Sequence, residues 1–258
     1  IAARSTQAGS VQPSERVRVG IIGAGGRALS LINSFSSNAS VDVVAIADLD
    51  ANRLPKGLAT AEKNQSRRPR GESDFRRLID DDTLDVIVTG TPDHWHAIPT
   101  ILACQAGKDV YVEKPMTLTI EEGKVMRETL HRYGSVLQVG SQQRSNASFR
   151  KAAELVLNGY IGKVRTVSAR LGEFPAPSQY PAQPIPAGFN YDRWLGPAPW
   201  EPYNIERVKG DYGGGWRSFW DYGSRKNGDW GAHHYDIIQW ALGRDESGPV
   251  EFVPKGYE

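Results

Sequence analysis

The feature that most constrains the fold is an apolar strand that runs directly into a glycine-rich turn and then into a helix. RVRVGIIGAGG (16–26) supplies the strand and the turn, and RALSLINSF (27–35) has the pattern of a helix. Buried strands and helices keep alternating to about residue 140. Strands of Val, Ile and Ala that alternate with helices indicate a parallel sheet covered on both faces. We therefore predict an α/β fold with a doubly wound parallel sheet over about 16–140.

The glycines of the first turn have the spacing Gly23-x-Gly25-x-x-Ala28. The first glycine permits a tight turn, the second lets a pyrophosphate approach the backbone, and a small third residue lets the helix pack on the strand. The helix that follows offers unpaired N–H groups to phosphates. We predict a dinucleotide site that also includes Gly26 and Arg27, with a turn that binds no ligand as the alternative.

The second strand ends at Asp48, at the distance from the turn where an acid binds the adenosine ribose. A carboxylate there repels the extra phosphate of NADP. The sequence therefore favours NAD as the cofactor and NADP less, although Arg27 and Arg53 would soften that preference.

The fourth strand ends at Thr91 and Pro92, and TPDHWH brings His94 and His96 to the same edge of the sheet. Ligands of a doubly wound sheet gather at the carboxyl ends of its strands. We expect these four residues beside the cofactor. If the segment is extended, the two histidines point the same way, as metal ligands do, but helix capping and packing are the favoured interpretations and no metal is predicted.

The fifth strand, DVYVEKP (109–115), delivers Glu113 and Lys114 to that edge. A residue before proline has a restricted backbone, so the side chain of Lys114 can be held in place. A lysine without a role in the site is an equally good interpretation of this position taken by itself. We place Glu113 and Lys114 among the cofactor-binding residues.

The chain changes character after residue 140, and we assign 141–258 to a second domain. KVRTVSARLG (163–172) alternates like a strand, and 250–253 is a second candidate. Residues 175–202 hold eight of the sixteen prolines, which excludes a helix or a central strand there. Trp216, Trp220 and Tyr222 follow, and such aromatic rings suit the C–H faces of a sugar or, equally, a core.

NGDWGAHHYDIIQWALG (227–243) holds two of the five histidines. Treated as a helix over 229–242, it places Asp229, His233, Asp236 and Trp240 on one stripe. His234 falls on the opposite, apolar face and reads as a packing residue. Flanking carboxylates orient a histidine and stabilise its charged form. His233 is therefore a candidate general acid/base, with a structural Asp229–His233 salt bridge as the alternative.

Together these residues predict hydride transfer from an alcohol. His233 takes the hydroxyl proton, Lys114 hydrogen-bonds the same oxygen, and the hydride passes to a nicotinamide cofactor.

Five motifs in this order, VGIIGAGGRA, TPDHWHA, EKPMTLTIEEG, GYIGKVRTVSARLG and GDWGAHHYDI, resemble the Gfo/Idh/MocA oxidoreductase family (glucose–fructose oxidoreductase, inositol dehydrogenase and rhizopine catabolism). The resemblance implies a Rossmann domain followed by an α+β domain with an open mixed sheet that often forms a dimer interface. It implies catalytic roles for Lys114, Asp229 and His233, with Asp236 as a nearby substrate-binding or supporting residue, and a cis bond before Pro115.

The motifs DHWHA and DWGAHH resemble those of an exported bacterial subgroup of the family. This makes the polar arm 1–15 a processed end and favours a periplasmic location over a cytoplasmic one. Family members continue the sheet beyond the D-x-x-x-H helix, so we expect the second domain to be truncated or reduced here. A homo-oligomer formed through that sheet is expected only if the sheet is complete.

Composition excludes other classes of function. The net charge of +1 gives no case for nucleic acid or an anionic membrane, and no apolar run reaches transmembrane length. The single cysteine, Cys104, reads as a buried helix residue. The leading prediction is an NAD-dependent oxidoreductase acting on a small carbohydrate or polyol. Two alternatives use the same residues: redox-neutral cleavage of a glycoside with a retained cofactor, and a non-catalytic protein that senses nucleotides.

Overall fold

The structure is a computed structural model, and it describes residues 15–176, 178–210 and 214–253. The predicted N-terminal arm lies almost entirely outside these residues. The chain forms two compact units. The first comprises residues up to 140 together with 174–225, and the second comprises 141–173 with the residues from 226 onward. Residues 174–225, which we had assigned by sequence to the second domain, thus belong to the first unit.

Six parallel strands form the sheet of the first unit, which confirms the predicted fold class. They are β1 (Val17–Ile22), β2 (Val41–Ala47), β3 (Arg70–Glu72), β4 (Val86–Thr89), β5 (Asp109–Val112) and β6 (Leu137–Val139). Their order in the sheet is β3-β2-β1-β4-β5-β6. The chain order reverses between β1 and β4, and this switch point is where such sheets bind ligands.

The described residues contain ten α-helices. They are α1 (Gly26–Ser36), α2 (Leu54–Asn64), α3 (Arg76–Ile79), α4 (Ala97–Gln105), α5 (Ile120–Tyr133), α6 (Ala147–Leu157), α7 (Tyr191–Leu195), α8 (Ile205–Val208), α9 (Arg225–Asp229) and α10 (Gly231–Ala241). No helix among the described residues is long and apolar enough to cross a membrane.

Apolar side chains cover both faces of the sheet because successive strand residues point to opposite sides. Ile21 and Ile46 pack in one cluster, and Ile22 and Ala45 pack in the other. Cys104 of α4 is buried in the second of these clusters, as predicted, and burial raises the pKa of its thiol. The sheet is therefore a rigid platform whose carboxyl edge can position a ligand.

Residues 174–225 carry an aromatic cluster of their own. Its buried members are Tyr191, Trp194, Leu195, Tyr203, Val208, Trp216, Phe219 and Tyr222. Among its described residues, the proline-rich part 175–202 forms no strand, as predicted. The prediction that it contains no helix was wrong, because α7 (Tyr191–Leu195) lies in a stretch without proline and packs in this aromatic cluster.

The second unit is built around α6 and α10 and differs from the prediction. The strands predicted at 163–171 and 250–253 are absent from the described structure. A strand needs a hydrogen-bonded neighbour, and the described residues of this unit supply none. The predicted helix over 229–242 is divided at Trp230, between α9 and α10. Its predicted apolar face is only half buried, while Gly231 and His233 are the buried residues of α10.

Candidate functional site

A cavity of about 640 Å³ lies at the carboxyl edge of the sheet in the first unit. Its volume falls within the usual range for small-molecule and cofactor sites. The β1 turn, the loop after β2, the end of β4, residues from the range 186–210, and Trp216 and Arg217 contribute to its walls. Of the predicted cofactor residues, Gly23, Gly25, Gly26, Arg27, Asp48, Thr91 and Pro92 line it.

The glycine turn has the geometry that its spacing predicts. Gly23 has a φ of +103°, and a Cβ there would lie 3.1 Å from the carbonyl oxygen of Gly90. A Cβ on Gly90 would lie 3.0 Å from the Cβ of Ala28, so the third position of the motif must stay small. Helix α1 begins immediately after Gly25, and its first N–H groups are available to an anion at the turn.

Asp48 closes the turn from the end of β2. Its carboxylate accepts hydrogen bonds from the backbone N–H groups of Ala24 at 2.6 Å and Asp50 at 2.8 Å. Burial raises the pKa of Asp48, against the opposing effect of these hydrogen bonds. Arg53 pairs with Asp50 at 3.2 Å, and its guanidinium lies 3.4 Å from where a Cβ on Gly25 would stand. An acid and a guanidinium therefore both face the ribose end of the turn.

The donor set of the cavity fits a dinucleotide. The hydroxyl of Thr91 is buried at its edge and has no hydrogen-bond partner among the described residues. Such a group needs a partner that a polar ligand can supply. Asp48, the glycine turn and Thr91 would contact ribose, pyrophosphate and a second polar group respectively.

Arg27 and Glu113 form an ion pair, with Arg27 Nε donating to Glu113 Oε1 at 2.7 Å. Arg27 lines the cavity, whereas the Glu113 carboxylate is almost fully buried. Glu113 also accepts the backbone N–H of Lys114 at 3.2 Å. The arrangement favours a supporting role for Glu113, which holds both the arginine and the lysine segment.

His94 and His96 lie on a short 3₁₀ turn (Asp93–Trp95) and the residue after it, so the extended arrangement considered for metal binding does not form. The ring of His96 lies between two carbonyl oxygens, 2.6 Å from Pro115 O and 2.9 Å from Thr91 O. His94 Nε2 lies 2.9 Å from Trp194 O. Burial lowers the pKa of each histidine to about 4. Both are therefore buried packing residues whose rings contact backbone carbonyl groups of neighbouring loops, which was one of the predicted alternatives.

Lys114 is half buried in the first unit and is the second residue after β5. The predicted cis bond between Lys114 and Pro115 is present. Glu113 on one side and the Pro115–His96 contact on the other fix the backbone on both sides of the lysine.

Asp229 and His233 are both buried within the second unit. The amide nitrogen of Gln142 lies 3.5 Å from His233 Nε2. Whether that contact is donated depends on the tautomer of the ring. Gln142 is a neighbour of the candidate acid/base that sequence reasoning missed.

Asp236 is held by Arg144, which donates two hydrogen bonds to its carboxylate at 2.8 Å each. Arg144 also donates to Asp245 at 2.8 Å and stacks over Trp240, with its guanidinium carbon 5.4 Å from the ring centre. These two carboxylates raise the pKa of Arg144. The contacts favour the supporting role of Asp236 over a direct role at the substrate.

The three aromatic candidates separate in the structure. Trp216 belongs to the aromatic cluster and lines the cavity. Tyr222 is completely buried in the aromatic cluster. Trp220 is exposed. For Tyr222 the structure favours the core alternative, and the role of all three at a substrate stays a prediction.

Sequence reasoning missed the cavity-lining residues of the proline-rich part, Phe189, Arg193 and Trp194 among them. It also missed Arg144. For the cavity-lining residues, the only sequence feature that pointed to a role was the length of the proline-rich loop, since a long loop in a compact domain is usually functional.

Two family models match the chain. Residues 17–141 match the oxidoreductase family with an NAD-binding Rossmann fold, and residues 145–255 match its C-terminal alpha/beta domain.

The chain is 27% identical over 199 residues to 1-carboxy-3-chloro-3,4-dihydroxycyclohexa-1,5-diene dehydrogenase of Comamonas testosteroni, covering 77% of this chain and 43% of that protein. It is 34% identical over 119 residues to a glycosyl hydrolase family 109 protein of Solibacter usitatus (strain Ellin6076), covering 44% and 27%. Among solved structures, myo-inositol 2-dehydrogenase of Lactobacillus plantarum matches with a TM-score of 0.52 at 28% identity, covering 58% of this chain and 43% of that chain.

The chain therefore spans less than half the length of these relatives. The two family matches nevertheless run almost without a gap from residue 17 to residue 255. The chain belongs to the Gfo/Idh/MocA oxidoreductase family, whose N-terminal domain is an NAD-binding Rossmann fold.

Proposed function

We propose that this protein is an NAD-dependent oxidoreductase that transfers a hydride between a hydroxyl-bearing carbon of a sugar or polyol and the cofactor. The observation that carries the proposal is the cavity at the switch point of the sheet, lined by the glycine turn, Asp48 and Thr91. Relatives named as dehydrogenases of myo-inositol and of a dihydroxylated ring support the class of substrate.

Each proposed catalytic residue has one chemical task. His233 takes the proton from the substrate hydroxyl, and Asp229, four residues earlier in the chain, stabilises the charged ring. The ammonium of Lys114 hydrogen-bonds the oxygen as negative charge develops on it. Bound NAD supplies the acceptor for the hydride.

The test is a screen of polyols and sugars with the purified protein and NAD, followed by the absorbance of NADH. Lys114→Met and His233→Asn are each expected to reduce the rate by about a hundredfold or more while NAD still binds. Arg150→Ala, in an exposed i,i+4 pair with Glu154, is the control for a harmless change in the second unit. Unchanged rates in both variants would contradict the roles of these two residues, whereas NAD binding without any NADH formation by the wild type would favour a protein that only senses nucleotides.

A second candidate is redox-neutral cleavage of a glycoside, which is favoured by the similarity to glycosyl hydrolase family 109 proteins. Here a substrate hydroxyl carbon is oxidised to a ketone, which acidifies the neighbouring C–H. Loss of that proton expels the glycosidic oxygen, water adds to the resulting double bond, and the hydride removed first is returned to the ketone. A chromogenic glycoside would release its phenol without net NADH, whereas the dehydrogenase accumulates NADH and releases none.

The periplasmic location and the homo-oligomer also remain proposals. The first is supported by the resemblance to exported relatives, and the second depends on the family's complete sheet, of which the described residues of the second unit form no strand. Fractionation of the native host and light scattering of the purified protein test them directly. A cytoplasmic pool would contradict the first, and a monomer would contradict the second.

A further inference from the structure

Residues 186–210, which we call the cover segment, belong by sequence to the C-terminal family match and by structure to the first unit. The segment contains α7 and α8. Ten of its residues line the cavity, including Phe189, Arg193 and Trp194. A part of the chain outside the NAD-binding match therefore forms a wall of the candidate cofactor site.

The cover segment is attached first to the loop that follows β2. The Ala51 N–H donates to Gly188 O at 2.9 Å, and the Asn190 N–H donates to Leu49 O at 3.1 Å. The side-chain amide of Asn52 adds a hydrogen bond to Ala187 O at 3.1 Å. This loop begins at Asp48, so the attachment lies beside the proposed ribose-binding carboxylate.

Two more attachments lie after the ends of β3 and β4. Arg193 pairs with Asp74, just after β3, at 3.1 Å. The indole N–H of Trp95, after β4, donates to Trp194 O at 2.8 Å, and His94 contacts the same oxygen. A Cβ on Gly196 would overlap the Trp95 ring, so the two segments are in close contact.

The strand order shows where these attachments lie relative to the glycine turn. β3 and β2 lie on one side of β1, and β4 lies on the other. The cover segment is thus attached on both sides of the strand that carries the glycine turn, and the cavity is bounded by both the turn and the segment. A dinucleotide with its pyrophosphate on the turn would lie between them.

We propose that the cover segment forms the outer wall of the dinucleotide site, contacts the adenosine half of the cofactor, and must detach before the cofactor can exchange. The proposal rests on the proposed NAD site. In this proposal Phe189 and Trp194 offer aromatic surface to the adenine base. Arg193 offers a cation to the polar groups of the same half of the cofactor. Release of the cofactor is then slower than it would be from an open site.

The first test weakens one attachment. Arg193→Ala removes the pair with Asp74, and dissociation of NADH is measured by stopped-flow displacement with excess NAD. Because Arg193 is 42% exposed, the expected acceleration is about two- to fivefold. Arg150→Ala, which removes an exposed pair in the second unit, should leave the rate unchanged. Equal rates in the wild type and in both variants would contradict the proposal.

The second test locks the segment. In Ala51→Cys/Gly188→Cys a Cβ on Gly188 would stand 3.1 Å from that of Ala51. This is slightly shorter than the range of about 3.5–4.5 Å found in disulfides, so a small shift of the exposed Gly188 loop allows the two sulfurs to bond. The native Cys104 is buried and does not compete. Because Gly188 has a φ of +80°, the reduced form of the same variant is the reference for any strain.

After loading with NADH, the oxidised form should release it at about one tenth of the reduced form's rate or below. Reduction of the disulfide should restore the rate. Equal release from the oxidised and reduced forms would overturn the cover segment as a gate while leaving the NAD site intact. Failure of the wild-type protein to bind NADH would instead overturn the proposed function, and this inference with it.

Discussion

The two units of the chain hold their functional side chains by different means. In the first unit, six strands bury Ile21, Ile46 and their neighbours almost completely, and the cofactor residues project from backbone that this core fixes. In the second unit, most large apolar side chains stay exposed, with Ile161 at 65% and Phe252 at 80%. His233 and Asp236 are contacted there by polar partners, Gln142 and Arg144.

The difference separates two kinds of robustness. A site on a packed sheet keeps its geometry when one surface contact is lost, because the core determines the backbone. A site held by a few hydrogen bonds and ion pairs depends on each of them. Mutations and acid should therefore affect the two units differently.

Acid should destabilise the first unit through its buried histidines. Burial lowers the pKa of His94 and of His96 to about 4, below the value of about 6.5 in an unfolded chain. Their contribution is therefore complete above the unfolded pKa and is lost as the pH falls toward 4. The free energy of unfolding should fall by about 2 kcal/mol per histidine between about pH 7 and pH 5.

Urea titrations at several pH values measure that free energy, and NMR titration of the ring protons shows whether the two histidines stay neutral. Rings that titrate near pH 6.5 would contradict the assignment. Hydrogen exchange should show the loss of protection in β4 and the cover segment before it appears in α10.

The same side-chain truncation, isoleucine to alanine, should cost more unfolding free energy in the first unit than in the second. Ile21→Ala empties space in the fully packed sheet and should cost about 3 kcal/mol of unfolding free energy. Ile161→Ala removes the same atoms from an exposed position and should cost no more than about 0.5 kcal/mol. Chemical denaturation measures both, and equal losses would end the contrast between the units.

Removal of Arg144 should loosen the second unit locally. Arg144→Ala frees both Asp236 and Asp245, and because the arginine is 35% exposed the expected cost is about 1 kcal/mol. Amide exchange in α10 should accelerate accordingly, while exchange in the β-sheet stays constant. Arg150→Ala provides the control, and equal acceleration in that variant would contradict a specific role for Arg144.

The same contrast explains how much the sequence predicted. The parallel sheet, the glycine turn, Asp48 and the burial of Cys104 follow from local patterns, because strand runs and turn glycines are dictated by their immediate neighbours. The prediction of a strand at 163–171 was wrong. Alternation of apolar and polar residues specifies which face of a strand is buried, but it cannot supply a partner strand.

The cover segment could not be foreseen for a related reason. Its contacts join Asp74 to Arg193 and Ala51 to Gly188, pairs that are far apart in sequence and carry no local motif. The ion pair between Arg144 and Asp236 is equally long-range. Sequence spacing did single out His233 and Asp236 as neighbours on one stripe, but only the structure identified the partners of that stripe.

The central claim is that NAD(H) binds on the glycine turn of the first unit, and a fluorescence titration of NADH against the wild type and Gly25→Val tests it most directly. Gly25 has a φ of −78°, and an added Cβ would meet only the end of Arg53 at 3.4 Å, so the variant should fold normally. Gly123→Ala, on α5 and outside the cavity lining, is the control. We predict tight binding to the wild type and the control and about a hundredfold weaker binding to Gly25→Val, because the side chain stands where the pyrophosphate approaches. Equal binding to all three proteins, or none to the wild type, would contradict the account.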